Sequence, residues 1–147
     1  MDIRGEHRFA APRELVYIHL LDPALVERSL PGCESFVQQN GAYDITMRIG
    51  IGALKGVYRG RVRVVEEVPP ESYRLELTGS GSPGGITGRA HLVLTEAGPT
   101  TVLTYVGDLQ AKGAMASLGI QALGGSAKIL IGQFLKAMEQ EIRARTV

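Results

Sequence analysis

The side chains able to do chemistry are few: three histidines, one cysteine, five tyrosines and 15 carboxylates. His7, His19 and His91 show no metal-ligand spacing, and no Asp/Glu–His pair recurs at helical distance, so no metal site is expected. His91 falls on the outward side of an alternating run and reads as solvated. His7 shares the inward side of its strand with Ile3 and Phe9. Two readings stay open for it: a hydrogen-bonded core histidine, or a polar contact inside a ligand pocket. Cys33, in Leu30-Pro31-Gly32-Cys33-Glu34, has no basic neighbour to activate a thiolate. It reads as a small buried turn residue rather than a nucleophile.

Two glycine-rich stretches invite a phosphate reading and fail it. Gly79-Ser80-Gly81-Ser82-Pro83-Gly84 spells G-x-G-x-x-G, but a strand follows where a dinucleotide fingerprint needs a helix. Gly50-Ile51-Gly52-Ala53-Leu54-Lys55-Gly56 lacks both the Lys-Ser/Thr pair and the helix of a phosphate loop. Both read as flexible rims. Arg59, Arg61 and Arg63 form a basic stripe on one strand face. It reads as a solvated face paired to acids such as Asp44 or Glu76, with docking onto an anionic partner or membrane surface as the alternative.

The elements that must position these groups belong to a chain of 147 residues, one domain over 1–147. A domain of this length buries about 68–70% of its unfolded surface and needs no disulfide or metal to fold. Lys and Arg number 16 against 15 Asp and Glu, a balance that argues against nucleic acid as a partner. There is no apolar run of ~18 residues and no apolar leader after Met1, and one cysteine fits a reducing compartment. A cytoplasmic location is the expectation. Glycine, at 19 residues, is about twice its usual ~7% and predicts close backbone approaches. Aromatic residues at 5% and no Trp leave open a core that is not packed solid.

Asp2 to Ala10 alternates as a half-buried strand. Pro12 opens a helix through Leu20, and Asp22-Pro23 caps a second short helix from Ala24 to Ser29. Then the period becomes two. Met47, Tyr58, Leu75, Leu92 and Tyr105 each fall on an inward side, and Asn40-Gly41, Pro69-Pro70, Gly79–Gly85 and Gly98-Pro99 separate about six strands. This is an antiparallel meander with one wet face. From Ala114 to Arg145 a helical stripe carries Met115, Leu118, Leu123, Phe134, Met138 and Ile142, with Lys128, Lys136, Glu139, Glu141 and Arg143 opposite. Gly119, Gly124, Gly125 and Gly132 lie in this stretch, which predicts a break near Gly124-Gly125. One helix covering a curved sheet tends to leave a hollow.

The order of elements carries a resemblance. Phe9-Ala10-Ala11-Pro12-Arg13-Glu14-Leu15-Val16-Tyr17 with Leu21-Asp22-Pro23, then Leu30-Pro31-Gly32-Cys33-Glu34, and above all Gly50-Ile51-Gly52-Ala53-Leu54-Lys55-Gly56-Val57-Tyr58-Arg59-Gly60, are similar to the CoxG family of carbon monoxide dehydrogenase accessory proteins. Gly88-Arg89-Ala90 and Thr101–Tyr105 extend the match. That family lies within the START-like, polyketide-cyclase-like superfamily. The resemblance implies an α+β helix-grip fold: a curved seven-stranded antiparallel sheet around a long C-terminal helix, with two short helices after the first strand. It also implies an apolar cavity and a role beside molybdenum-containing carbon monoxide dehydrogenases, at the membrane or as a carrier of a quinone or lipid. Many members continue into a C-terminal membrane anchor, whereas this sequence stops at Val147, and Ala53 stands where proline is common.

The reading that follows is a non-catalytic carrier with no covalent cofactor. It would hold a hydrophobic small molecule against His7, Met47, Tyr58, Leu75, Leu92, Tyr105, Met115, Leu118 and Phe134. The expected partners are that ligand, a molybdenum hydroxylase-type enzyme and the inner membrane surface. Rival readings are a docking adaptor without ligand, and a cyclase or hydrolase on the same fold. The enzyme would want an inward acid–base pair, and the inward faces offer only His7 and tyrosines.

Overall fold

The computed structural model describes residues 1–82 and 84–145. Strand β1 (Asp2–Phe9) leads into α1 (Arg13–Leu20) and α2 (Pro23–Ser29). The chain then runs β2 (Cys33–Gln39), β3 (Ala42–Ile49), β4 (Gly56–Val68), β5 (Ser72–Gly81), β6 (Gly84–Ala97) and β7 (Thr100–Lys112), ending in α3 (Ile120–Arg145). Short 3-10 turns at Gly52–Leu54 and Gly113–Leu118 join β3 to β4 and β7 to α3. Pro12 starts α1 from an extended backbone, and the Asp22 carboxylate caps α2 by accepting from the Ala24 amide at 3.0 Å, with Pro23 in the first turn.

The seven strands form one antiparallel sheet in the order β1-β7-β6-β5-β4-β3-β2. Its register makes the two faces. Val62 opposes Leu77, Val64 opposes Leu75 and Leu92 opposes Tyr105, so apolar side chains of neighbouring strands share the face toward α3. On the outer face Arg61 opposes Asp44, Arg63 opposes Glu76 and Arg89 opposes Asp108. The helix-grip architecture expected from the resemblance is the one observed.

Two boundaries differ from expectation. The glycines of 79–85 are mostly ladder rather than loop: β5 runs to Gly81 and β6 resumes at Gly84, with Pro83 outside the described residues. The expected helix from Ala114 is a 3-10 segment up to Leu118, and the break falls at Gly119, not at Gly124-Gly125. Gly119 has φ +90°, a conformation that a side chain resists and that no helix can pass through. α3 then continues unbroken through Gly124-Gly125, where Leu123, Ser126 and Ala127 are buried and hold the turn in place.

The core has two parts. Below, Phe9, Val16, Leu25, Leu103, Leu135 and Met138 pack where α1, α2 and α3 meet the sheet. Above, Ile3, Leu54, Tyr58, Met115, Leu123 and Ala127 pack under the two 3-10 turns. Tyr105 and Ile131 touch both. The backbone of α3 comes closest to β1, α1, α2 and the Gly52–Leu54 turn, leaving the middle strands farther from it.

Candidate ligand-binding site

The middle of the sheet is where the inner face stays incompletely covered. Val62, Val64, Leu75, Leu77 and Leu92 all point inward yet remain half-buried, while Tyr73 and Leu94 toward the lower end are sealed. The helix shows the same division. Leu123, Ala127, Leu135, Met138 and Ile142 form its buried stripe, and Leu130, Ile131 and Phe134 lie half-buried on the flank. Leu75, Leu92 and Phe134 pack against the lower cluster, and Met47 against the upper one. Apolar side chains left partly accessible between two layers are the makings of a ligand site.

Two tyrosines cross this floor, each lying on a glycine of the neighbouring strand. Tyr58 is paired with Gly81, and a Cβ there would sit 3.1 Å from its ring. Tyr105 is paired with Gly5, where a Cβ would collide with the phenol. The glycine excess is thereby partly explained: these positions let a large ring lie flat across the sheet. Burial raises the pKa of both hydroxyls above the ordinary tyrosine value, so both are neutral donors at neutral pH. The Tyr58 hydroxyl is completely buried and has no hydrogen-bond partner.

His7 does point inward, and the structure gives it a partner that the sequence pattern placed on the solvent side of the helix. Its Nε2 donates to Oε1 of Glu139 over 2.7 Å, with both side chains mostly buried, and its ring meets Phe9 edge-on at 4.7 Å. Glu139 also meets Arg143 at 3.0 Å. The expectation that no acid–base pair faces inward is thus corrected. The missed signal is spacing: residue 139 is four beyond Leu135 and three before Ile142, the flank of the buried stripe.

Of the other expected positions, Met115 is fully buried in the upper cluster and Leu118 is not in the interior. Leu118 is 39% exposed because it ends the 3-10 segment on the rim, out of phase with α3. Beside it a groove of about 290 Å³ is lined by Leu109, Ala111, Ala116, Ile120 and Leu123. Cys33 is half-buried at the start of β2, and burial pushes its thiol up, away from nucleophilic use. On the outer face a cleft of about 550 Å³ runs past Thr46, Arg59, Arg61 and Ser80. There Arg61 donates to Asp44 at 2.9 Å and holds that carboxyl below its ordinary range, as a solvated ladder pair would. No group of three or more His, Cys, Asp or Glu able to hold a metal occurs among the described residues. No helix among them is long and apolar enough to cross a membrane.

Solved structures share this architecture. A conserved protein from Geobacillus kaustophilus is 32% identical and superposes with a TM-score of 0.93 over 98% of this chain and 96% of that one. A START superfamily protein from Mycobacterium smegmatis gives 0.75 at 13% identity, covering 99% of each chain. A protein from Thermus thermophilus gives 0.73 at 16%, covering 100% of each. The last two show the fold alone. No curated protein matches the chain. The family model for CoxG, the G-type subunit of carbon monoxide dehydrogenase, matches residues 5–143, nearly the whole length and including the loop, tyrosines and helix just described, and the chain belongs to that family.

Proposed function

We propose that this protein is an accessory carrier that holds an apolar small molecule, a quinone or lipid, between the sheet and α3. The observation that carries the reading is the half-buried apolar middle of the sheet, roofed but not filled by the flank of α3. Burying about 300 Å² of apolar ligand surface would contribute roughly 7 kcal/mol before association costs, which suits reversible carriage. The family's name supports a carbon monoxide dehydrogenase as the enzyme served.

The rim supports exchange at an anionic lipid surface. Leu118 and Ile120 are exposed beside the apolar groove, with Lys112 close in sequence. None of the 15 Asp and Glu falls within 45–65, 77–95 or 109–138, the segments that build this end of the molecule. Cations and apolar tips without carboxylates suit such a surface.

The test is mass spectrometry of organic extracts from protein purified gently from its native host, beside a Leu75→Glu variant. A stoichiometric apolar compound in the first and none in the second is the expected result. Full retention of that compound by Leu75→Glu would overturn the placement, since a carboxylate cannot be buried against an apolar ligand without large cost. A second reading, an acid–base enzyme on the same fold, draws on the His7–Glu139 pair alone. It requires the purified protein to consume the extracted compound on incubation.

A further inference from the structure

We propose that the Tyr58 hydroxyl is the polar reading point of the cavity, donating to a carbonyl-type oxygen at the leading end of the ligand. The inference rests on the carrier reading and names the ligand's chemistry: an apolar body ending in a hydrogen-bond acceptor. Tyr58 is only 9% exposed, its oxygen is fully buried, and no group among the described residues meets it. Buried hydroxyls are nearly always satisfied, and one left bare costs free energy that phenylalanine in the same slot would not. The ring itself is fixed across β4 and β5 by Gly81, so the hydroxyl cannot swing out to water.

Everything that packs around it is apolar. Ile49, Leu54, Met115, Leu123 and Ala127 make up the buried part of the cluster, and Tyr105 sits at its border with the lower one. Burial keeps the phenol neutral, and a neutral phenol is a better donor than acceptor, so an oxygen acceptor is the complementary group. Leu54 and Met115 come from the two 3-10 turns, each bounded or entered by a positive-φ glycine, Gly52 and Gly113. Outward movement of those turns is the step that admits the acceptor. The rim groove shares Leu123 with the cluster and marks the side of approach.

The experiment uses the full chain and two probes that differ only in an acceptor, a long-chain alkyl phenyl ketone and the alkylbenzene of equal chain length. The wild-type protein is expected to bind the ketone about tenfold tighter, the effect of one satisfied buried hydrogen bond. In Tyr58→Phe that preference falls to parity while the affinity for the alkylbenzene is kept. The unliganded Tyr58→Phe protein melts at the same temperature as wild type or higher. A ketone preference that survives in Tyr58→Phe, or is absent from wild type, overturns this inference and leaves the carrier reading standing. A lower melting point of the unliganded variant overturns it too, by revealing an internal partner for the hydroxyl. Failure of wild type to bind either probe removes the carrier reading and this inference together.

Discussion

At the scale of single residues, the inner surface has two polar side chains whose situations are opposite. His7 is satisfied by Glu139, which also meets Arg143, so the three tie β1 to the last turns of α3. Tyr58 is satisfied by nothing among the described residues. A hydrogen bond to a charged group in a partly buried site contributes more than a neutral surface bond. His7→Ala should therefore lower unfolding stability by about 1–2 kcal/mol, because it leaves Glu139 without its inward partner. Glu139→Gln should cost less, since the amide oxygen can still accept. Urea denaturation with an unchanged m-value checks both, and a stability loss for Glu139→Gln as large as that for His7→Ala would contradict the tie.

At the scale of elements, the sheet depends on rings laid over glycines. Between β1 and β7 the phenol of Tyr105 occupies the space that a Gly5 side chain would need. A methyl there must push the ring off the floor or the strands apart. Gly5→Ala should destabilise the protein by about 1–3 kcal/mol, the usual cost of overpacking. Adding Tyr105→Leu should recover much of that loss by vacating the space. A double-mutant cycle measures the coupling, and additive effects would show that the two residues do not compete. The same contact sets the width of the cavity floor where the two core clusters meet, so Tyr105→Leu alone should alter ligand selection more than stability.

For the whole molecule, pH acts through groups spread over the fold. Burial raises Tyr17, Tyr58, Tyr73 and Tyr105 above the ordinary tyrosine value of 10.0, with Glu67 adding to the effect at Tyr17. The folded state then binds these protons more tightly than the unfolded chain does. Their contribution is complete below pH 10 and is lost as pH rises above it. Asp44 and Glu141 run the other way. Hydrogen bonds from Arg61 and Arg28 lower their pKa below 3.8 and 4.5, so that contribution is present above these values and fades as pH falls further. The denaturant midpoint should be level between about pH 5 and 9 and fall on both sides. Parallel titration of tyrosinate absorbance should show its main rise only together with alkaline unfolding. A rise well before unfolding would contradict the burial of these rings.

Strand alternation, the two proline-started helices and the apolar stripe of the last helix were legible in the sequence, because each is set by a local period and by capping chemistry. Gly50–Gly60 and the order of elements were enough for the family. What the sequence could not supply was the rotation of α3 against the sheet. That rotation buries Leu135 rather than Phe134, turns Glu139 toward His7 and leaves Leu118 on the rim. It follows from Gly119, whose φ of +90° uncouples the 3-10 segment from the helix and shifts the phase of every residue after it. Likewise the sequence shows tyrosines and glycines, but only strand register decides that Tyr58 lies on Gly81 and Tyr105 on Gly5. The lone hydroxyl that results is a property of packing between distant segments, and no local pattern encodes it.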